Sequence, residues 1–236
     1  MPLERLYSFF KALKISKAMP DDIFGQNGEF FSASNVVFDV GAHHGNVTKR
    51  LRKISPLAHI HAFEPFLSSF EILSKNFRND PNVTLNNVAV SNFKGNARFY
   101  SNIYDETNSL LQSSLVDDRI DSFTKNVTAL DVPTVTLDWY VEEKNIHKID
   151  FLKVDVQGNT FEVLEGSKNL LERKLIKWIY AECEFTEIYK NEKLFSEIEL
   201  LMRRFGYELV KFYNPNYTQN SNLAWVDALF REKLKK

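Results

Sequence analysis

Apolar residues recur along the chain with two periods, and the switches between them lay out alternating strands and helices. Short apolar runs rich in β-branched residues read as strands buried on both faces. They are Val36-Val37-Phe38-Asp39-Val40, His59-Ile60-His61-Ala62-Phe63, Ile149-Asp150-Phe151-Leu152-Lys153-Val154, and Ile176 to Glu182. Helical spacing links Val47, Leu51 and Ile54, then Phe66, Phe70, Leu73 and Phe77. It returns at Phe161, Leu164 and Leu171, and at Leu194, Ile198, Leu201 and Phe205, where Gly206 stops the helix. Val83-Thr84-Leu85 begins a third strand, expected to run on through Asn87-Val88-Ala89-Val90-Ser91. Ala97-Arg98-Phe99-Tyr100 then returns as an inserted hairpin, and Val135 to Tyr140 leads into a short helix. Tyr207 to Tyr213 and Leu223 to Phe230 have no helix between them, so they are expected to pair antiparallel across the loop Asn214 to Asn222. The expected architecture is α/β: a mostly parallel seven-stranded sheet with an antiparallel last strand and helices on both faces.

Two regions fall outside this rhythm. Leu3, Leu6, Tyr7, Phe10 and Leu13 predict an amphipathic first helix, and Asp21 to Ser34 reads as a linker broken by Gly25 and Gly28. Residues 1–35 are thus expected to be helix and linker, and 36–236 one domain. Residues 101–131 are polar and lack a sustained period. So long a loop in a compact domain is a lid, a substrate loop or a solvated insertion, and Asn108-Ser109-Leu110 is its most distinctive piece.

A chain of 236 residues, 44% apolar and with 20 Phe, can fill one sizeable core. Its net charge of −1 implies neither a nucleic acid nor a membrane surface as partner. The single cysteine, Cys183, excludes a disulfide framework and fits a reducing compartment. No apolar run approaches a membrane span, and residues 1–20 carry no signal-peptide core. A cytoplasmic enzyme or binding protein is expected, with homo-oligomerisation left open.

The chemistry concentrates after the first strand, in Asp39-Val40-Gly41-Ala42-His43-His44-Gly45-Asn46. Strand, glycine loop and helix form a ligand site at the carboxyl end of a strand in a doubly wound sheet. Gly41 and Gly45 would let a ligand approach the backbone, and Asn46 is expected to cap the next helix. The spacing Asp-x-Gly-x-x-x-Gly is not that of a dinucleotide fold. The second strand ends in Glu64-Pro65, which puts a carboxylate where it can accept both hydroxyls of a ribose. One acid before the loop and another at the neighbouring strand tip suit S-adenosyl-methionine better than a dinucleotide. Either His43 or His44 could serve as a base, although one facing solvent and one packed beside the cofactor is the plainer expectation. No His/Cys/Asp cluster has metal-ligand spacing, so no metal is expected. His59 and His61 share a strand face and read as structural.

The blocks Val37-Phe38-Asp39-Val40-Gly41-Ala42-x-x-Gly45, Phe63-Glu64-Pro65, Val88-Ala89-Val90-Ser91, Thr136-Leu137-Asp138 and Ile149-Asp150-Phe151-Leu152-Lys153-Val154-Asp155-Val156-Gln157-Gly158 resemble the signatures of FkbM-type methyltransferases, a class I, Rossmann-like family. The resemblance implies methyl transfer from S-adenosyl-methionine to a hydroxyl, often on a small molecule, sugar or glycan. It also implies that Asp39, Gly41, Ala42, His43, Gly45 and Asn46 line the methionine and ribose side. Glu64 and Pro65 would meet the ribose, Asn87, Val88 and Ala89 the adenine, and Asp155 the sulfonium and acceptor. Asp155 is the first candidate base. Glu184, past the fifth strand, is the second, against a plainer reading as an exposed loop acid. Family members usually carry an acid where this chain has Gln157, which weakens a two-carboxylate or metal-assisted mechanism. The competing readings are an N-methyltransferase and a catalytically silent cofactor-binding subunit.

Overall fold

In a computed structural model, residues 23, 24, 31 and 34–233 are described. The expected first helix and most of the linker lie outside them. The main sheet has seven strands: β1 (Val36–Val40), β2 (His59–Phe63), β3 (Val83–Asn86), β7 (Ile149–Val154), β8 (Ile176–Glu184), β9 (Tyr207–Tyr217) and β10 (Leu223–Glu232). Their spatial order is β3-β2-β1-β7-β8-β10-β9. Only β10 runs against its neighbours. β9 and β10 reach further than expected, so the turn between them shrinks to residues 218–222, closed by Thr218 N–H to the Asn222 carbonyl.

Each central strand is buried on both faces because each face carries its own core. Phe38, Phe63, Leu152 and Ile179 face α4 (Leu137–Glu143), α5 (Thr160–Glu165), α6 (Lys168–Glu172) and α7 (Phe195–Arg204). On the other face, Val37, Ile60 and Phe151 pack with Leu51 of α1 (Asn46–Ile54), and Ala62 with Leu73 and Phe77 of α2 (Leu67–Phe77). The helix expected through Phe161 and Leu171 is two, broken at Gly166. A Cβ there would collide with the Ser91 carbonyl.

Three expectations need correction. The third strand does not run on through Asn87. It ends at Asn86, and β4 (Ala89–Val90) joins a separate three-stranded sheet, parallel to β6 (Asn126–Val135), with β5 (Gly95–Asn102) antiparallel on the other side. Residues 101–131 are not a long loop. They hold the end of β5, a 3-10 turn (Asp105–Thr107), α3 (Asp118–Thr124) and most of β6. Asp117 caps α3 by accepting from Ile120 N–H, and Ile120 and Phe123 pack against Ile188 and Tyr189. Asn46 is not a cap: it is the exposed first residue of α1, and Gly45 in the left-handed region precedes it.

Three motif residues serve the frame. Thr136 caps α4, and Asp138 accepts from Asn169 and Leu170 N–H at the start of α6. Asp150 pins the start of β1 through Asn35 and Val36 N–H. His61 bonds Tyr140 and His59 bonds Thr84, as expected of structural histidines.

Candidate active site

The strand tips of β1, β2 and β7 open onto a cleft of about 670 Å³, its mouth included. Gly41, His43, Glu64, Pro65 and Asp155 form its polar wall, while Phe63, Val88, Ala89, Phe99 and Leu110 form an apolar slot. That mix of a polar wall and an apolar slot suits a ligand with one polar and one flat apolar part.

Glu64 is 6% exposed. One carboxylate oxygen accepts from His43 N–H at 2.8 Å and the other from Phe66 N–H at 2.9 Å. Each oxygen keeps a lone pair for a ligand. Burial pushes its pKa up by more than those two N–H groups pull it down. Asn87 stands behind the wall, its amide donating to the carbonyls of Glu64 and Pro65.

Asp39 does not border the cleft and is fully buried. It accepts from Thr48 Oγ1 at 2.6 Å and pairs with Lys153 Nζ at 3.1 Å. Lys153 also donates to the Gly41 carbonyl at 2.6 Å and lies 3.7 Å from Asp155 Oδ2. Burial lowers the Lys153 pKa, but Asp39 and then Asp155 outweigh it and hold the ammonium above its ordinary value. Lys153 was not singled out from the sequence. Its signal was a lysine inside an otherwise apolar strand, since a buried cation needs a buried partner.

The two loop glycines answer to protein neighbours. Both have positive φ. A Cβ on Gly41 would strike the Asp155 carbonyl, and one on Gly45 would strike Phe77 and lie 2.7 Å from Leu73. Gly41 borders the cleft; Gly45, Ala42 and Asn46 do not.

Asp155 Oδ1 accepts from the Gln157 amide at 2.8 Å, and the same amide reaches Glu182 at 2.7 Å. Tyr189 OH lies 2.9 Å from Gln157 Oε1, and Ser109 donates to the Gln157 carbonyl at 2.5 Å. Gln157 thus bridges two carboxylates, where an acid would add a third negative charge. Asn108 and Leu110 flank Ser109 in the cleft wall.

Glu184 is not an exposed loop acid: it is 1% exposed and does not border the cleft. Burial, then Asp155 and Asp227, push its pKa up to about 7. Finally, the structure brings His43 and His44 to Asp105, a grouping that local sequence spacing could not reveal.

A family model described as "Methyltransferase FkbM domain" matches residues 39–209. The 2-O-methyltransferase NoeI of Sinorhizobium fredii is 25% identical over 166 residues, 66% of each chain. The chain thus spans just under two thirds of that relative's length. Among solved structures, the Methanococcus jannaschii fibrillarin pre-rRNA processing protein aligns with 93% of this chain and 71% of its own, at 15% identity and TM-score 0.49. An rRNA methylase from Streptococcus thermophilus aligns with 92% and 100%, at 13% identity and TM-score 0.48.

Proposed function

The chain belongs to the FkbM methyltransferase family, which uses S-adenosyl-methionine, and we propose that it methylates a hydroxyl on a sugar, glycan or natural-product acceptor. The 2-O-methyltransferase relative supports oxygen as the target. The observation that carries the reading is Glu64, a buried carboxylate in the cleft wall whose oxygens are fixed by backbone N–H groups and still have accepting capacity. Two vicinal hydroxyls are the natural donors for it. The slot of Phe63, Val88 and Phe99 suits a flat base beside that ribose.

S-adenosyl-methionine supplies a methyl on a sulfonium, a good leaving group, so alignment of acceptor oxygen, carbon and sulfur carries much of the rate. We assign that alignment to Asp155, which borders the cleft and is held by Gln157. Its carboxylate would orient the acceptor hydroxyl and take its proton. Glu184, behind the Gly158 turn, has no such access. Asp39 and Lys153 hold the tips of β1 and β7 together and so position Gly41 and Asp155. The lone buried Cys183 supports a reducing, cytoplasmic setting.

The test is label transfer from methyl-labelled S-adenosyl-methionine to a panel of sugars, oligosaccharides, hydroxylated small molecules and amines. Label on a hydroxyl is expected. Label confined to amines would overturn the oxygen assignment. Calorimetric binding of S-adenosyl-homocysteine with no transfer to any acceptor would identify a silent subunit.

A further inference from the structure

The loop after β1 carries adjacent histidines, and adjacent side chains on an extended backbone point opposite ways. Here His43 adopts a left-handed φ of 49°, and the two rings stack with centroids 3.6 Å apart and planes 26° from parallel. A non-glycine residue in that region persists where its surroundings hold it. His43 N–H is held by Glu64 at 2.8 Å and the His44 carbonyl by the Asn76 amide at 3.0 Å.

Both rings then bring Nε2 to one carboxylate oxygen from a distant segment. Asp105 Oδ2 lies 3.1 Å from His43 Nε2 and 3.3 Å from His44 Nε2. Both nitrogens are buried. Two buried imidazole nitrogens converging on one carboxylate oxygen is the arrangement that ligands take around a common centre. Bonds of about 2.0–2.2 Å at tetrahedral angles set neighbouring ligand atoms about 3.4 Å apart. All three ligand atoms lie within 4.8 Å of one another.

We propose that His43, His44 and Asp105 form a binding site for one divalent transition ion of the zinc class at the mouth of the cleft. Two imidazoles and a carboxylate favour zinc and its neighbours over magnesium or calcium, which take oxygen ligands. The ion would join the glycine loop to the Asp105–Thr107 turn. Because His43 and Asp105 both border the cleft, occupancy should tighten nucleoside binding, and by linkage the nucleoside should tighten ion binding by the same factor. That coupling, unlike the ion site itself, rests on the methyltransferase reading of the cleft.

The test uses the full chain, free of affinity tags and stripped with a chelator. It is titrated with Zn²⁺ against a chromophoric chelator and with Co²⁺ followed by visible absorption. One equivalent is expected, with Co²⁺ bands of a four- or five-coordinate site. His44→Ala and Asp105→Asn should each weaken Zn²⁺ by at least about tenfold, the cost that even an indirect partner of a ligand carries. Far-UV circular dichroism checks that both variants fold. Unchanged affinity in both variants, or no stoichiometric binding by the parent chain, would overturn the site. S-adenosyl-homocysteine calorimetry on the stripped protein keeps the two readings apart. Nucleoside binding without ion binding defeats the metal site alone, and ion binding without nucleoside binding defeats the cleft reading alone.

Discussion

Asp39 and Glu184 are both fully buried carboxylates near the ends of strands in one sheet, with β7 between their strands. Asp39 sits directly opposite Lys153 in the β1–β7 register and takes both its ammonium and the Thr48 hydroxyl. Glu184 has no ion pair among the described residues. Its Oε2 lacks a hydrogen-bond partner among the described residues, and its neighbours are Asp155, Asp227 and Glu192. The first site is held together by an ion pair and a hydroxyl donor; at the second, burial and neighbouring acids push the carboxyl pKa up to about 7. Burial is common to both, so what differs is the partner each carboxylate finds. The balanced tip is the one that shapes the cleft, because Lys153 also binds the Gly41 carbonyl and lies near Asp155.

Removing the cation is the sharpest way to break that contrast. Lys153→Met keeps the length and apolar character of the stem but leaves Asp39 buried without its counter-charge. Breaking a buried pair from one side costs about 3–5 kcal/mol. Urea denaturation of the variant should show a loss of that order, or the protein should fail to accumulate folded. A loss below about 1 kcal/mol would mean that Thr48 alone satisfies Asp39.

The next largest effect tests the third carboxylate, Glu64, whose partners are backbone N–H groups. Glu64→Ala should weaken S-adenosyl-homocysteine binding about 100-fold, the loss of two hydrogen bonds to a charged group at about 1.5 kcal/mol each. Calorimetry on a variant whose circular dichroism matches the parent would measure it. Unchanged affinity would remove the ribose contact.

Short apolar runs and glycine punctuation sufficed to read the seven strands, their mostly parallel pairing and the placing of Glu64 and Asp155 at strand ends from the sequence. Those features follow from runs of apolar residues and from strand ends, which are local properties. What escaped is non-local. Nothing near Asp39 in the sequence announces Lys153 as its partner, because the pair exists only through the register of β1 with β7. The glycines were read as ligand clearance, whereas their neighbours are the Asp155 carbonyl and the side chains of α2. Residues 101–131 looked featureless because α3 is a short helix that caps itself with Asp117 and buries only Ile120, Phe123 and Thr124. Asp105 meets the histidines only after β5 and β6 have paired and carried it there.

The smallest expected effect has the opposite sign and probes the unbalanced end. Burial, then Glu184, raise the Glu192 pKa to about 9, although Tyr189 and Ile188 N–H groups donate to its Oε1. A glutamate in the unfolded chain titrates near 4.3. Across the interval between those values the folded state binds more protons than the unfolded one, so stability falls as pH rises through it. Below the unfolded value the penalty is absent. Glu192→Gln keeps an acceptor for both N–H groups and removes the ionisable group. Its stability should therefore decline less between pH 6 and pH 7, leaving it about 1 kcal/mol ahead of the parent at pH 7 relative to pH 6. Parallel curves from chemical denaturation at the two pH values would show that Glu192 loses its proton freely. The acid-rich end of β8 would then be as well compensated as the tip of β1.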